Sequence, residues 1–82
     1  MQNKRLIALG RQIRQLREAK GLSQEQFAAD AGLDRGYYGG VERGERNIAA
    51  LNLMKIAIAL QVGVGELFPS LPALRRLGGD GK

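Results

Sequence analysis

Residues 22–47 have the sequence LSQEQFAADAGLDRGYYGGVERGERN, which opens with the start and stop signals of a short helix. Ser23 and Gln26 form an S-x-x-Q pattern, in which the two side chains cap backbone N–H groups at a helix N-terminus. Gly32 is suited to the left-handed conformation that ends many helices. The sequence therefore predicts a helix over residues 24–31.

A second helix is predicted over residues 35–43 of the same stretch. Asp34 is a good N-cap, and Gly44 is placed to end the helix. Tyr38 and Val41 lie on one helical face, which we assign to the core. Two capped helices joined by a glycine turn form a helix-turn-helix unit, whose second helix commonly enters the major groove of DNA.

Apolar residues recur at helical spacing on both sides of this unit. The segments 4–20 and 49–60 are predicted to be helices, a further short helix is expected over 66–68, and a last turn is expected after Pro69. The fold class is therefore all-α. The residues assigned to the core of the two flanking helices are Leu6, Leu9, Ile13, Leu16, Ala50, Leu53, Ile56, Ala57 and Leu60.

Length and composition restrict the function. The 82 residues suffice for one domain, which we place over 1–77 with a C-terminal dimerisation element, and 78–82 should form a flexible tail. The chain has no cysteine and no histidine, and its acidic residues are scattered. We expect no enzyme activity, no cofactor, no metal site and no small-molecule ligand.

Charge points to a polyanionic partner. Thirteen Lys and Arg residues against eight Asp and Glu give a net charge of +5 and a pI near 10.3. This excess favours nucleic acid, although the same charge could serve solubility alone. No apolar run is long enough to span a bilayer, and the N-terminus lacks a signal-peptide core. We expect a cytoplasmic protein without a membrane partner.

Several segments together resemble the Cro/CI-type helix-turn-helix regulators of phage and bacteria. The resemblance extends over residues 6–68, and the short chain looks most like stand-alone regulators such as restriction–modification controller proteins. It implies a compact five-helix, lambda-repressor-like DNA-binding domain. The matching segments are IRQLR (13–17), GLSQE (21–25), FA (27–28), AGL (31–33), VERG (41–44), RN (46–47) and the apolar repeat at 53–60.

The resemblance also suggests which residues contact DNA. Arg35, in the first turn of the second helix, can donate two hydrogen bonds to guanine; the alternative is a surface ion pair with Asp34 or Glu45. Gln24 is expected to contact a DNA phosphate, and the alternative is that it is simply an exposed polar residue at a helix cap. The predicted DNA-binding residues are Gln24, Arg35, Gly36, Tyr37, Gly39, Gly40, Arg43, Arg46 and Asn47.

Two of these residues have more than one interpretation. Tyr37 borders the groove, where it either packs on sugar, bonds phosphate or covers the helix edge. Asn47 either contacts phosphate or holds the loop, and it is also the expected cap of the next helix, because Ala49 replaces the hydroxyl residue common in the family. Arg43 and Arg46 are expected on phosphates.

Arg17 and Glu42 are predicted to form a structural ion pair. Glu42 lies on the inward face of its helix, where a carboxylate needs a charged partner. Family members often pair the arginine that matches Arg17 with this glutamate, and arginine offers bidentate geometry.

Three glycines in the second helix depart from the family pattern. Glycine costs about 1 kcal/mol against alanine inside a helix, and Gly36, Gly39 and Gly40 provide no side chain. Either the bare helix approaches DNA closely, with recognition by Arg35, Tyr37 and DNA shape, or the helix is weakened.

Two apolar sets remain outside the predicted core. They suggest a two-fold homodimer on a two-fold operator, while the alternative is a monomer whose C-terminal turn covers the fourth helix. The predicted function is a sequence-specific transcriptional regulator, and the alternative is a protein-interaction module such as an antitoxin or adaptor. The predicted interface residues are Leu51, Met54, Ile58, Leu71, Leu74 and Leu77.

Overall fold

All regular secondary structure in residues 2–78, the part of the chain described by a computed structural model, is helical. This confirms the predicted all-α, five-helix class. The short helix expected at 66–68 is a 3-10 helix that begins two residues earlier. The elements are α1 (Lys4–Ala19), α2 (Gln24–Ala31), α3 (Arg35–Glu42), α4 (Ala50–Leu60), the 3-10 helix (Val64–Leu67) and α5 (Leu71–Arg76).

Local sequence signals set the ends of α2 and α3. The Ser23 hydroxyl accepts from Gln26 N at 3.1 Å, and the Gln26 amide oxygen accepts from Ser23 N at 3.1 Å. Gly32 follows with a φ of 73°, and the Asp34 carboxylate then accepts from Tyr37 N at 2.9 Å. The turn between α2 and α3 is thus fixed by residues close to it in the sequence.

The core lies where α1, α2, α3 and α4 meet. The largest fully buried side chains come from all four helices and from the 3-10 helix, so each element contributes to one apolar interior. Phe27 of α2 meets Tyr38 of α3 with ring centroids 5.1 Å apart. The six are Ile13, Phe27, Tyr38, Ile56, Leu60 and Leu67.

One core assignment on α4 is wrong. Ile56 and Leu60 are fully buried and Leu53 is half-buried, but Ala50 is exposed. Ile48, just before α4, is buried in the core, so the start of the helix still lies beside the core. The periodicity of the sequence identifies the face of a helix but not how fully each residue on that face is covered.

The expected cap of α4 is also wrong. Ala49 occupies the N-cap position with an extended backbone, and no side chain bonds to the free N–H groups of this helix. Asn47 lies two residues earlier in the chain and is exposed. An uncapped N-terminus leaves backbone donors for water or another acceptor.

A close backbone approach joins α1 to α3. A Cβ atom added to Gly10 would lie 2.5 Å from the Glu42 carbonyl oxygen and would also overlap the Val41 carbonyl oxygen. Only glycine permits this contact without a shift of the two helices. The contact fixes α3 on the core, because the helices meet at backbone distance.

The C-terminal segment is attached to the start of α1. The Ser70 hydroxyl accepts from Ala73 N at 3.3 Å and caps α5, and Arg5 Nε donates to the Leu74 carbonyl oxygen at 2.9 Å. The predicted tail, apart from Gly78, lies outside the described residues. Within residues 2–78, no helix has the length and apolar character needed to cross a bilayer.

Candidate nucleic-acid interface

The first turn of α3 presents an unpaired arginine to solvent. Arg35 is the first residue of the helix and is exposed, while the Asp34 carboxylate beside it is used to cap Tyr37 N. Over residues 2–78, Arg35 makes no ion pair with Asp34 or Glu45, nor any other side-chain hydrogen bond. Its five N–H donors are therefore free for an external acceptor.

Glu42, at the other end of α3, is held by a buried hydrogen-bond cluster. Arg17 of α1 donates to both carboxylate oxygens, from Nε at 2.7 Å and from Nη2 at 3.0 Å. Gln24 Nε2 donates to Oε1 at 2.8 Å, and the Tyr38 hydroxyl donates to Oε2. The structure thus places the predicted pair in contact and adds two partners from α2 and α3.

The cluster shifts the pKa values of its members. Burial opposes ionisation of Glu42, but hydrogen bonds from Arg17, Tyr38 and Gln24 outweigh it and lower the pKa of the carboxyl. Burial, followed by the bond to Glu42, raises the pKa of the Tyr38 hydroxyl, which stays protonated. The hydrogen bond to Glu42 raises the pKa of Arg17. The carboxylate is therefore the stable form of Glu42.

Gln24 links this cluster to the outer surface. It is the first residue of α2 and is half-buried, with its amide nitrogen on Glu42. The amide group carries two N–H donors, and the bond to Glu42 uses only one of them. The helix N-terminus at this point also favours an anion. The position is compatible with the predicted phosphate contact.

Tyr37, Arg46 and Asn52 form a second polar group at the surface. The Arg46 guanidinium lies over the Tyr37 ring, 5.7 Å from its centroid, which is a cation–π arrangement. Asn52 Nδ2 of α4 donates to the Tyr37 hydroxyl oxygen at 3.1 Å. Tyr37 is half-buried, with Arg46 over its ring and Asn52 bonded to its hydroxyl.

Side chains of two arginines cover two of the three glycines of α3. A Cβ atom on Gly39 would lie 3.1 Å from Arg43 Nη1, and one on Gly40 would lie 3.2 Å from Arg46 Cγ. Both glycines are buried, whereas Gly36 is exposed. The outer surface here is consequently formed by two guanidinium groups rather than by bare backbone.

The two covering arginines differ in their partners. Arg43 Nε bonds to Glu45 Oε2 at 3.1 Å, and both side chains are exposed, so this pair is weak in water. Arg46 has no carboxylate partner within residues 2–78. Asn47 follows it and is exposed. All three side chains are on the solvent side of the loop after α3.

Apolar side chains form an exposed face on α4. Leu51, Met54 and Ile58 are 63%, 50% and 75% exposed, and Val64 of the 3-10 helix is 42% exposed. In the other predicted set, Leu71 is 59% exposed, while Leu74 and Leu77 are half-buried. The α4 residues thus provide the larger uncovered apolar surface.

Sequence reasoning missed three features of this site. They are the close approach at Gly10, the bond between Asn52 and Tyr37, and the bond from the Tyr38 hydroxyl to Glu42. The first two join distant parts of the chain, whereas Tyr38 and Glu42 lie one turn apart on the same face of α3. One signal was present for Tyr38, because a tyrosine in a core position needs a partner for its hydroxyl.

Comparisons with known proteins give consistent matches. A family model described as Helix-turn-helix matches residues 13–67. The control protein C.MunI of Mycoplasma sp is 44% identical over 66 residues, which covers 79% of this chain and 89% of that protein.

Solved structures match as well. The restriction–modification controller protein C.AhdI from Aeromonas hydrophila has 54% identity and a TM-score of 0.75, over 77% of this chain and 96% of that chain. The biofilm master regulator SinR, solved in complex with DNA, has 33% identity and a TM-score of 0.69, over 72% of this chain and 95% of that chain.

Proposed function

The chain belongs to the helix-turn-helix family, and we propose that it binds a two-fold site in double-stranded DNA as a homodimer and regulates transcription there. The family match covers residues 13–67 and confirms the resemblance to Cro/CI-type regulators. This is a family of DNA-binding regulators and not of enzymes. The binding would depend on polar side chains of α3 and of the segments beside it.

The observation that carries the proposal is the exposed, unpaired guanidinium of Arg35 in the first turn of α3. In helix-turn-helix proteins, this turn of the second helix meets base edges in the major groove. A free guanidinium there can donate two hydrogen bonds to guanine O6 and N7. Arg35 is therefore the residue to which we assign direct base readout.

Phosphate contacts would come from the polar groups that surround α3. Gln24 has an unused amide N–H at the start of α2, and Arg46 and Asn47 are exposed in the loop after α3. Arg43 has only a weak surface partner to exchange for a phosphate. Such contacts would fix the position of α3 in the groove without carrying sequence information.

The homodimer would form through the exposed apolar face of α4. Leu51, Met54 and Ile58 lie on consecutive turns, and a two-fold interface uses the same patch from both subunits. Two recognition helices about 34 Å apart would then meet half-sites centred about 10 base pairs apart. Leu71 is the exposed member of the second predicted set.

The identity of the relatives supports a narrower role as a restriction–modification controller protein. C.MunI is named a control protein, and C.AhdI is named a restriction–modification controller protein. This chain covers 89% of the length of C.MunI and 96% of the length of C.AhdI. We expect the binding sites in the host to lie at restriction–modification genes. Genome-wide footprinting of the expressed protein tests this, and sites confined to unrelated genes would contradict the narrower role alone.

Selection of bound duplexes from a random DNA pool tests the main proposal. We expect a two-fold consensus with a guanine in each half-site. Binding should weaken as the salt concentration rises, because binding releases counterions from the DNA phosphates and this release is less favourable at high salt. Arg35→Ala should bind the selected duplex less well and show a relaxed preference at that guanine. Failure to enrich any sequence would contradict sequence-specific binding.

A further inference from the structure

Asn52 is a polar residue on α4 that the predicted DNA-binding set does not include. It is half-buried next to the exposed Leu51, and its amide nitrogen donates to the Tyr37 hydroxyl oxygen at 3.1 Å. This bond joins the helix that carries the apolar face to the helix that carries Arg35. Asn52 is the donor in this bond, so the bond does not use the hydrogen of the Tyr37 hydroxyl.

A phenol has one hydrogen to donate and oxygen lone pairs to accept with. Because the Tyr37 oxygen accepts from Asn52, its own hydrogen must point away from the Asn52 amide. Within residues 2–78, that hydroxyl donates to no protein acceptor. Tyr37 is therefore an oriented donor with an open position for an external acceptor.

The charges around this donor favour an anionic acceptor. The Arg46 guanidinium lies over the Tyr37 ring at 5.7 Å from the centroid, and Asn52 bonds to the hydroxyl at the edge of that ring. An oxygen that accepts from Tyr37 would also lie near a positive charge. A phosphate oxygen suits both groups, because charge-assisted hydrogen bonds are stronger than neutral ones.

We propose that Asn52 is a positioning residue that orients the Tyr37 hydroxyl as a donor to a DNA phosphate. The proposal rests on the proposed DNA-binding function and names a contact within it. Asn52 acts through Tyr37 and does not itself touch DNA. The same α4 helix would then serve both dimer formation and the placement of a phosphate contact.

A double-mutant cycle on the selected duplex tests the proposal. Asn52→Asp keeps the shape but offers only acceptors, so the Tyr37 hydrogen would turn inward to the carboxylate. The new negative charge also repels DNA. Introducing Asn52→Asp into the Tyr37→Phe protein measures this repulsion alone, because that protein has no hydroxyl at position 37. Asn52→Leu provides a neutral variant of similar size for the same cycle.

We expect Tyr37→Phe to weaken binding by about three- to tenfold for each half-site, the effect of one lost hydrogen bond. Asn52→Asp should reduce affinity in the protein with Tyr37 and, by a smaller factor, in the Tyr37→Phe protein. The ratio of the two reductions should again be about three- to tenfold for each half-site. A merely structural role for Asn52 would give the same loss in both. Unfolding midpoints of all variants are measured to separate folding from binding.

Equal losses in the two backgrounds, or a Tyr37→Phe protein that binds like the unmodified one, would overturn the positioning role while leaving the proposed function intact. A series of duplexes with one neutral methylphosphonate each then locates the acceptor. At one position per half-site, the methylphosphonate should weaken DNA binding by the unmodified protein but not by the Tyr37→Phe protein. The absence of such a position would refute the phosphate assignment. If the unmodified protein selects no duplex, the proposed function fails as well.

Discussion

Removing the charge of Glu42 is expected to destabilise the fold severely. Glu42 is 6% exposed and Arg17 is 7% exposed, and two hydrogen bonds of 2.7 and 3.0 Å join them. Glu42→Gln leaves a buried guanidinium without its counter-charge, which typically costs about 3–5 kcal/mol. Tyr38 and Gln24 would lose an ionised acceptor at the same time. A small domain has a free energy of unfolding of about 5–15 kcal/mol, so the loss is a large fraction of the total.

Urea unfolding of four proteins measures this coupling: the unmodified chain, Arg17→Met, Glu42→Gln and the double variant. We expect the double variant to lose less free energy of unfolding than the sum of the losses in the two single variants, by about 1–3 kcal/mol. Arg14→Met is the matched control, because Arg14 pairs with Glu18 at 3.0 Å on the same helix but both side chains are exposed. The free energy of unfolding of Arg14→Met should fall by less than about 1 kcal/mol. A coupling below about 0.5 kcal/mol would refute a structural role of the buried pair.

The same cluster predicts how stability depends on pH. Its hydrogen bonds lower the pKa of Glu42 in the folded state despite burial, whereas the unfolded chain has the ordinary value. The stabilisation is therefore complete above the ordinary glutamate pKa of about 4.3, and it is lost as the pH falls from there through the folded-state pKa. Glu42→Gln should remove this part of the acid sensitivity. If both proteins lose stability equally between neutral pH and the acid range, the cluster does not hold an ionised Glu42.

Three further substitutions test other parts of the structure. Gly10→Ala should destabilise the fold by about 1–3 kcal/mol or more in urea unfolding, because its Cβ meets carbonyl oxygens of α3, whereas Gly65→Ala meets no atom within 4 Å and should be close to neutral. Ile58→Glu should give a folded monomer by sedimentation, since Ile58 is 75% exposed, and loss of folding by circular dichroism would instead assign Ile58 to the core. Arg35→Ala should weaken binding to the selected duplex by about 1–3 kcal/mol per guanine contact, and equal losses on selected and random DNA in a competition assay would argue against base readout.

The sequence predicted the parts of the fold that depend on local signals. The capping bonds of Ser23 and Asp34 and the left-handed Gly32 involve residues only a few positions apart, so their spacing was enough. The periodicity of α4 does not specify how fully its neighbours cover each residue on the inward face. Ala50 is exposed, so its assignment to the core was wrong.

The candidate site was predictable to a similar degree. The positions of Arg35 and Gln24 follow from the motif, but their bonding does not: Arg35 is unpaired in the described residues, whereas Gln24 bonds to Glu42. Contacts between distant segments, such as Asn52 with Tyr37, leave no periodic signal. They depend on how α3 packs against α4, which periodicity alone does not specify.

The dependence of affinity on half-site spacing is the sharpest test of binding as a homodimer to a two-fold DNA site, because it measures DNA recognition and two-fold assembly together. Duplexes carry two copies of the selected half-site with centres separated by about 6 to 15 base pairs, and each dissociation constant is measured at one salt concentration. We expect a single sharp affinity maximum at a separation of about 10 base pairs, with two chains bound to the duplex. Affinity that does not change with spacing, or one chain bound independently at each half-site, would contradict it.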